Sequence, residues 1–330
     1  MEISFSIILP VRNGGELVKE CIQSVLAQTR TNFNFLILDN NSFDGTTEYI
    51  RSINDSRIVH LRSQTDLAMP DNWKRALELP LNEYITFIGH DDRLHTNYLE
   101  EMYRLINAHP DASLYQTHFN YIDESGLLIR PCKRMPEKIS VAGYLQGQFL
   151  QTMDSTGTGF LFRSGEFRKL GGYDYTIPNL IFSDYKLYAQ LTGLSYQAVS
   201  SEICFDYRVH NSLSKSTDID LYRIAFEKYT LFLKEYREES PSAREVIEKS
   251  GPEYLQFYCR SLSHRLLKST TNQRRKVGPF VQDCRKYASW LGISAKFHPY
   301  STDLSILAAS IIDSNILTRS IYRKIRNLTA

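Results

Sequence analysis

Two periodicities alternate along the first third of the chain. Phe5-Ser6-Ile7-Ile8-Leu9, Phe35-Leu36-Ile37-Leu38, Ile58-Val59-His60-Leu61 and Tyr84-Ile85-Thr86-Phe87-Ile88 are short apolar runs that read as buried strands, the first stopped by Pro10. Between them Leu17, Cys21, Ile22, Val25 and Leu26 recur at helical spacing, Asn72 to Leu79 reads as a helix, and from Asn97 to Asn107 Leu99, Met102, Tyr103 and Ile106 share one face. Strands alternating with helices predict an α/β fold with a mostly parallel sheet covered on both faces. Ligands of such sheets dock outside the carboxyl ends of the strands. The polar clusters after Leu9, Leu38, Leu61 and Ile88 therefore gather at one edge.

From about Ala112 the pattern changes. Ser113 to Tyr121 alternates, Asp123-Glu124-Ser125-Gly126 supplies a turn, and Leu127 to Arg130 returns as a hairpin arm. Gly159 to Arg163 reads as a strand, followed by a short helix closed by Gly171-Gly172. Ser183 to Leu191 reads as a helix and Ile203 to Arg208 as a last strand. Beyond Ser216 only helices are predicted, over Leu221–Tyr236, Ala243–Glu248, Tyr254–Lys268 and Val281–Leu291, and the boundary falls near residues 212–220. The expected division is a domain over 1–215, with halves of about 1–110 and 111–215, and a helical domain over 216–330.

Composition adds compartment and polarity. The 330 residues carry a net charge of +2, but from Asp218 onward 19 basic residues face 12 acidic ones, and from Arg265 onward 12 face three. No run approaches the roughly 20 apolar residues of a membrane span, and Met1-Glu2-Ile3 opens no secretory signal. Five scattered cysteines without C-x-x-C spacing argue for a reducing compartment, so a cytoplasmic protein is expected.

The strongest chemical signal is Tyr84-Ile85-Thr86-Phe87-Ile88-Gly89-His90-Asp91-Asp92-Arg93. Two adjacent carboxylates directly after a buried strand repel one another, a strain relieved by a hard cation such as Mg²⁺ or Mn²⁺, which could bridge nucleotide phosphates. On this pattern alone the pair could equally open a loop and cap the helix starting near Asn97.

Six segments in order resemble family-two glycosyltransferases with the GT-A fold, over roughly residues 3–212: Ile7-Ile8-Leu9-Pro10-Val11-Arg12-Asn13, Leu38-Asp39-Asn40-Asn41-Ser42-Phe43-Asp44-Gly45-Thr46, Asp71-Asn72-Trp73-Lys74-Arg75-Ala76-Leu77 with Glu83-Tyr84-Ile85, Gly171-Gly172-Tyr173-Asp174, Ser183-Asp184, and Tyr207-Arg208-Val209-His210. Two departures stand out. The family's Asp-x-Asp appears as Gly89-His90-Asp91-Asp92, without the leading carboxylate, and its Glu-Asp pair appears as Ser183-Asp184.

The resemblance implies an inverting transferase that moves a sugar from a nucleotide-diphosphate donor, a UDP-sugar in the first instance, to a hydroxyl of a glycan or lipid-linked acceptor in bacterial surface-polysaccharide synthesis. Asp39 would hydrogen-bond the base or ribose, Pro10 and Asn13 would line the same pocket with Asn72 and Arg75, and Arg12 could reach a phosphate. Asp91 and Asp92 would hold the cation, with His210 completing the site and Arg208 nearby. Asp184 would take the acceptor proton. Each has a plainer reading from local pattern: Asp39 as an Asx-turn residue, Asp184 as a cap of its own helix, His210 as a loop hydrogen-bonder, His90 as solvent-facing and Trp73 as core.

Other classes fit less well. Asn13-Gly14-Gly15 is no G-x-G-x-x-G turn and no G-x-x-x-x-G-K-[ST] occurs, which excludes dinucleotide and P-loop enzymes by motif. A sugar nucleotidyltransferase would share the paired carboxylates, and a non-catalytic scaffold would explain Gly89 and Ser183. Nucleic-acid binding is not expected, since the basic excess lies outside the sheet domain. In the tail, Leu317, Ile321, Ile325 and Leu328 recur at helical spacing, with Arg319, Arg323 and Arg326 on another face, predicting one amphipathic helix from Leu304 to Leu328. That helix is expected either to lie on the inner face of the membrane or to pack on protein, including a second subunit.

Overall fold

The computed structural model describes residues 3–209, 218–268 and 276–329, with side chains as far as 325. His210 lies outside the described residues. The chain forms two compact units, residues 1–144 with 153–216, and residues 145–152 with 217–330.

The first unit is built on a mixed sheet of ten strands: β1 (Phe5–Val11), β2 (Phe33–Asp39), β3 (Ile58–His60), β4 (Tyr84–Phe87), β5 (Arg93–Leu94), β6 (Leu114–Ile122), β7 (Leu128–Pro131), β8 (Lys138–Ile139), β9 (Phe160–Arg163) and β10 (Gln197–Arg208). The order is β3-β2-β1-β4-β9-β6-β10-β5, with β7 on β6 and β8 on β10. Pairing is parallel across β3-β2-β1-β4 and between β6 and β10, and antiparallel where β9 joins the two groups. Helices α1 (Leu17–Leu26), α2 (Thr46–Ser52), α3 (Met69–Lys74), α4 (Tyr98–Ala108), α6 (Ser164–Lys169) and α7 (Ser183–Leu194) accompany it, while the boundary between the units falls within α5 (Val141–Phe149), after Tyr144. Val18, Cys21, Ile22 and Val25 of α1 and Leu99, Met102 and Ile106 of α4 enter the core beside Phe5, Ile7, Leu9, Phe35 and Ile37.

Pro10 does not end β1. It pairs with Leu38, and the strand runs on to Val11. The Ile8 carbonyl accepts from Ile88, so strand alternation turns Pro10 to that same side, where pairing with β4 has already ended. Its missing N–H interrupts no ladder. Trp73 is core: its ring stacks on Phe87 at 5.2 Å and 4° and meets Tyr173 edge-on at 5.3 Å. β10 starts six residues before the apolar run at Ile203, with register shifts around that residue.

The second unit contains α8 (Ile219–Glu239), α9 (Pro241–Lys268), α10 (Val277–Trp290), α11 (Leu304–Ser314) and α12 (Ile316–Thr329). Residues 145–152, which the sequence groups with the sheet, belong here. The two helices expected over 243–248 and 254–268 are one, α9, running through Pro252. Proline deprives the Glu248 carbonyl of its helical donor, and Lys296 Nζ supplies one at 3.0 Å. Conversely, the single helix expected from Leu304 to Leu328 is two, bent by 116° between α11 and α12. Asn315 is extended, and its side-chain oxygen accepts from the Leu317 N–H at 2.8 Å, a cap that starts α12 afresh.

Candidate active site

The loops after β1 and β2 are stitched together. Asn13 N–H donates to Ser42 Oγ at 3.0 Å, Phe43 N–H to Asn13 Oδ1 at 3.0 Å, Gly14 N–H to Thr46 Oγ1 at 3.0 Å and Gly15 N–H to Asp44 Oδ2 at 2.9 Å. Their anchor is Asp39, at the end of β2 and wholly buried. Its oxygens accept from Ser42 N–H at 2.9 Å and Thr47 Oγ1 at 2.6 Å, and His60 Nε2 lies at 3.0 Å. Burial alone would raise this carboxyl, but the bonds from His60, Thr47 and Ser42 prevail and hold it well below the usual carboxylate range. Asp39 thus contributes stability present above about pH 4 and lost as acid protonates it. Asp39→Ala is expected to cost about 1–3 kcal/mol for each donor left unmet, measured by urea unfolding at pH 7, with the difference from wild type shrinking in acid.

Arg12 pairs with Asp66, both exposed, an ion pair weak enough for a phosphate to displace. Pro10 is buried in β1 beside this loop. Asn72, buried on α3, donates to the Leu38 carbonyl at 3.0 Å and accepts from Arg75 Nη1 at 2.9 Å, and Arg75 Nη2 reaches the Leu61 carbonyl at 2.6 Å. The pair ties α3 to the carboxyl ends of β2 and β3. Arg62 Nη2, at the end of β3, donates to Asn41 Oδ1 at 2.7 Å.

After β4 the two aspartates differ. Asp92 is buried, accepting from Thr158 Oγ1 and, at 2.8 Å, from the Arg208 N–H. Burial and the Asp91 charge push its carboxyl well above the usual range, against the bonds from Thr158 and Arg208. Gly89 explains the absent leading carboxylate: a Cβ there would stand 2.8 Å from both Asp91 Oδ1 and Asp92 Oδ2. The two oxygens converge on the space a side chain would fill. Such a hard oxygen pair fits Mg²⁺ or Mn²⁺, which bind through one or two carboxylates plus substrate phosphates. Among the described residues no three His, Cys, Asp or Glu side chains gather as a closed metal site.

Arg208, expected beside the diphosphate, is instead buried under this loop. Nε donates to the Asp91 carbonyl at 2.8 Å, Nη1 to the Asp123 and Glu124 carbonyls at 3.1 Å, and Nη2 to Glu20 Oε2 at 2.6 Å. Glu20 also receives Arg93 Nη1 at 2.7 Å, whose Nε meets Asp206 at 2.6 Å. Glu20 and Thr158 were not singled out by sequence, since their partners lie 188 and 66 residues away.

Asp184 lies in the first turn of α7, two residues after Phe182, whose φ is 70°, with Asn179 and Leu180 at 50° and 54°. A non-glycine cluster in the left-handed region is strained, and such strain concentrates at functional sites. Ser183 is fully buried and accepts from the Asp174 N–H at 2.6 Å, so the residue standing for the family's glutamate has become a loop clamp. Asp184 Oδ1 accepts from the Tyr185 N–H at 2.9 Å, and burial raises its carboxyl to about 6. The Tyr207 phenol is pushed up by burial, then by the charges of Asp92, Asp91 and Asp184.

Residues 6–171 match Glycosyl transferase family 2, and the chain belongs to that family. It is 23% identical over 206 residues to the UDP-Glc:alpha-D-GlcNAc-diphosphoundecaprenol beta-1,3-glucosyltransferase WfaP of Escherichia coli, covering 62% of this chain and 77% of WfaP. Other curated matches cover as little as 40% of the relative's length. Among solved structures, TarS 1–349 of S. aureus in complex with UDP-GlcNAc superposes with a TM-score of 0.67 at 14% identity, over 98% of this chain and 92% of TarS. The mannosyltransferase PcManGT of Pyrobaculum calidifontis, in complex with GDP-Man and Mn²⁺, gives 0.52 at 12% identity, over 95% and 87%. The fold is the GT-A fold that the motifs imply.

Proposed function

We propose that this protein transfers a sugar from a nucleotide-diphosphate donor, a UDP-sugar, to a hydroxyl of a glycan or lipid-linked acceptor, with inversion at the anomeric carbon. The observation that carries the reading is the convergence of Asp91 Oδ1 and Asp92 Oδ2 on the open side-chain position of Gly89, just beyond β4 in a chain of this family, with the raised carboxyl of Asp184 in support. A carboxyl near 6 is a base matched to neutral pH. The TarS complex with UDP-GlcNAc and the name of WfaP support the donor and acceptor classes.

In this mechanism Pro10 and Asn13 line the nucleoside pocket. Asp39, having no exposed surface, acts there through the loop it orders. Asn72 and Arg75 hold the strand ends beneath it, and Arg12 exchanges Asp66 for a donor phosphate. Asp91 and Asp92 would hold Mg²⁺ or Mn²⁺, which would supply positive charge against the departing diphosphate. Arg208 acts as a positioning residue, its Nε holding the Asp91 carbonyl and its backbone N–H the Asp92 carboxylate. Asp184 takes the proton of the acceptor hydroxyl as its oxygen attacks from the face opposite the leaving group.

The test is incubation of purified protein with UDP-sugars and an acceptor, reading nucleoside diphosphate release and the anomeric configuration of the product by NMR. Release with an inverted product supports the reading. Pyrophosphate formation would indicate a nucleotidyltransferase, and no turnover with any donor a scaffold. Activity is expected to vanish in excess chelator and return with Mn²⁺, and Asp91→Ala is expected to weaken donor binding about tenfold or more. Undiminished activity in chelator would remove the cation from the scheme.

A further inference from the structure

The last two helices present their apolar faces the wrong way for a soluble unit. On α11, Ile306, Ala309 and Asp313 are buried, while Leu304 (71% exposed), Leu307 and Ile311 (60%) lie on the opposite face. Among the described side chains of α12 the buried one is Arg319, 4% exposed, whereas Leu317, Ile321 and Ile325 are 68%, 57% and 59% exposed. Arg319 packs inward because it pairs with buried Asp313 at 2.8 Å and donates to the Leu266 carbonyl at 2.9 Å. An amphipathic helix normally buries its apolar stripe and exposes its charges. Here α12 turns a charge in and its stripe out, and α11, set at 116° to it, adds an exposed apolar face to a buried one.

The charge balance selects what the stripe meets. Asp313 is the one acidic residue between 304 and 329, and its charge is matched internally by Arg319. Arg323, Lys324 and Arg326 remain, Lys324 exposed beside the stripe. A stretch whose one acid is already paired, leaving an excess of cations, suits an anionic bilayer. A twofold contact between copies would instead bring the same cations together. No single helix here is long and apolar enough to cross a membrane.

We infer that α11 and α12 form an interfacial elbow that docks the C-terminal unit on an anionic lipid surface, with the isoleucine and leucine stripe immersed at the level of the headgroups. This rests on the surface of that unit alone and not on the sugar-transfer reading.

The test is co-sedimentation of the full-length protein with vesicles of phosphatidylcholine, alone or with about 30 mol% phosphatidylglycerol, at low and high salt. The expected result is binding to anionic vesicles that weakens with salt, and a loss of about tenfold or more in Ile321→Ser/Ile325→Ser. Both positions are exposed, so circular dichroism of the variant should match wild type. Lys324→Glu should weaken binding to anionic vesicles specifically. Equal binding by wild type and the folded double variant would overturn the inference. So would absence of vesicle binding combined with a wild-type dimer, by analytical ultracentrifugation, that the variant abolishes.

Discussion

Asp184→Asn is expected to leave donor affinity intact and to lower the transfer rate by about 10²–10⁴-fold. The amide keeps the volume and can still accept from the Tyr185 N–H, so α7 starts as before. What it loses is the capacity to take a proton. Because burial sets this carboxyl at about 6, the wild-type rate should rise as pH increases through 6, and the residual rate of the variant should lack that limb. The measurements are kcat against pH for both proteins and donor binding by calorimetry. A folded Asn variant with wild-type kcat would remove Asp184 from proton transfer.

Gly89→Asp, which rebuilds the family's leading carboxylate, is expected to abolish function rather than improve it. The new Cβ would stand 2.8 Å from Asp91 Oδ1 and 2.8 Å from Asp92 Oδ2, a distance real Cβ contacts do not adopt. Relief requires displacing both carboxylates, and that of Asp92 is held by Thr158 and the Arg208 N–H. Overpacking of this kind costs about 1–3 kcal/mol, and a displacement near 1 Å at reacting groups costs about 10²-fold in rate. A third negative charge would further oppose ionisation of Asp92, already resisted by burial and by Asp91. Thermal unfolding and steady-state kinetics check both parts. A variant with wild-type melting temperature and tighter donor binding would show that the site tolerates the ordinary motif.

How much of this was legible varies by the range of the interaction. The strands at Phe5, Phe35 and Tyr84 and the helices at Leu17 and Tyr98 announce themselves through period, because one face of each meets the core. The paired aspartates and Asp184 were found by residue type and position. What those residues touch was not legible. Asp39 reads locally as a loop residue, yet the decisive partner His60 comes from another strand, 21 residues on. The resemblance puts Arg208 beside the donor, whereas burial and four fixed acceptors make it a brace. The tail shows the opposite error. Periodicity carried one helix through Asn315, although an asparagine before an apolar run is itself a capping signal, and the Arg319–Asp313 pair turned inward what spacing had turned outward.

The lock between Asp92 and Arg208 spans 116 residues, and that span sets when the site can exist. During synthesis the strands β1 to β4 and the carboxylates after them emerge long before β10 is made. Until β10 docks, the Asp91 carbonyl and the Asp92 carboxylate have neither of the Arg208 bonds that hold them. Contacts of such long range close late. A nascent or nicked chain would therefore carry every acidic group of the reaction and still be inert, so enzyme activity in a refolding experiment reports completion of the whole sheet rather than formation of its first half.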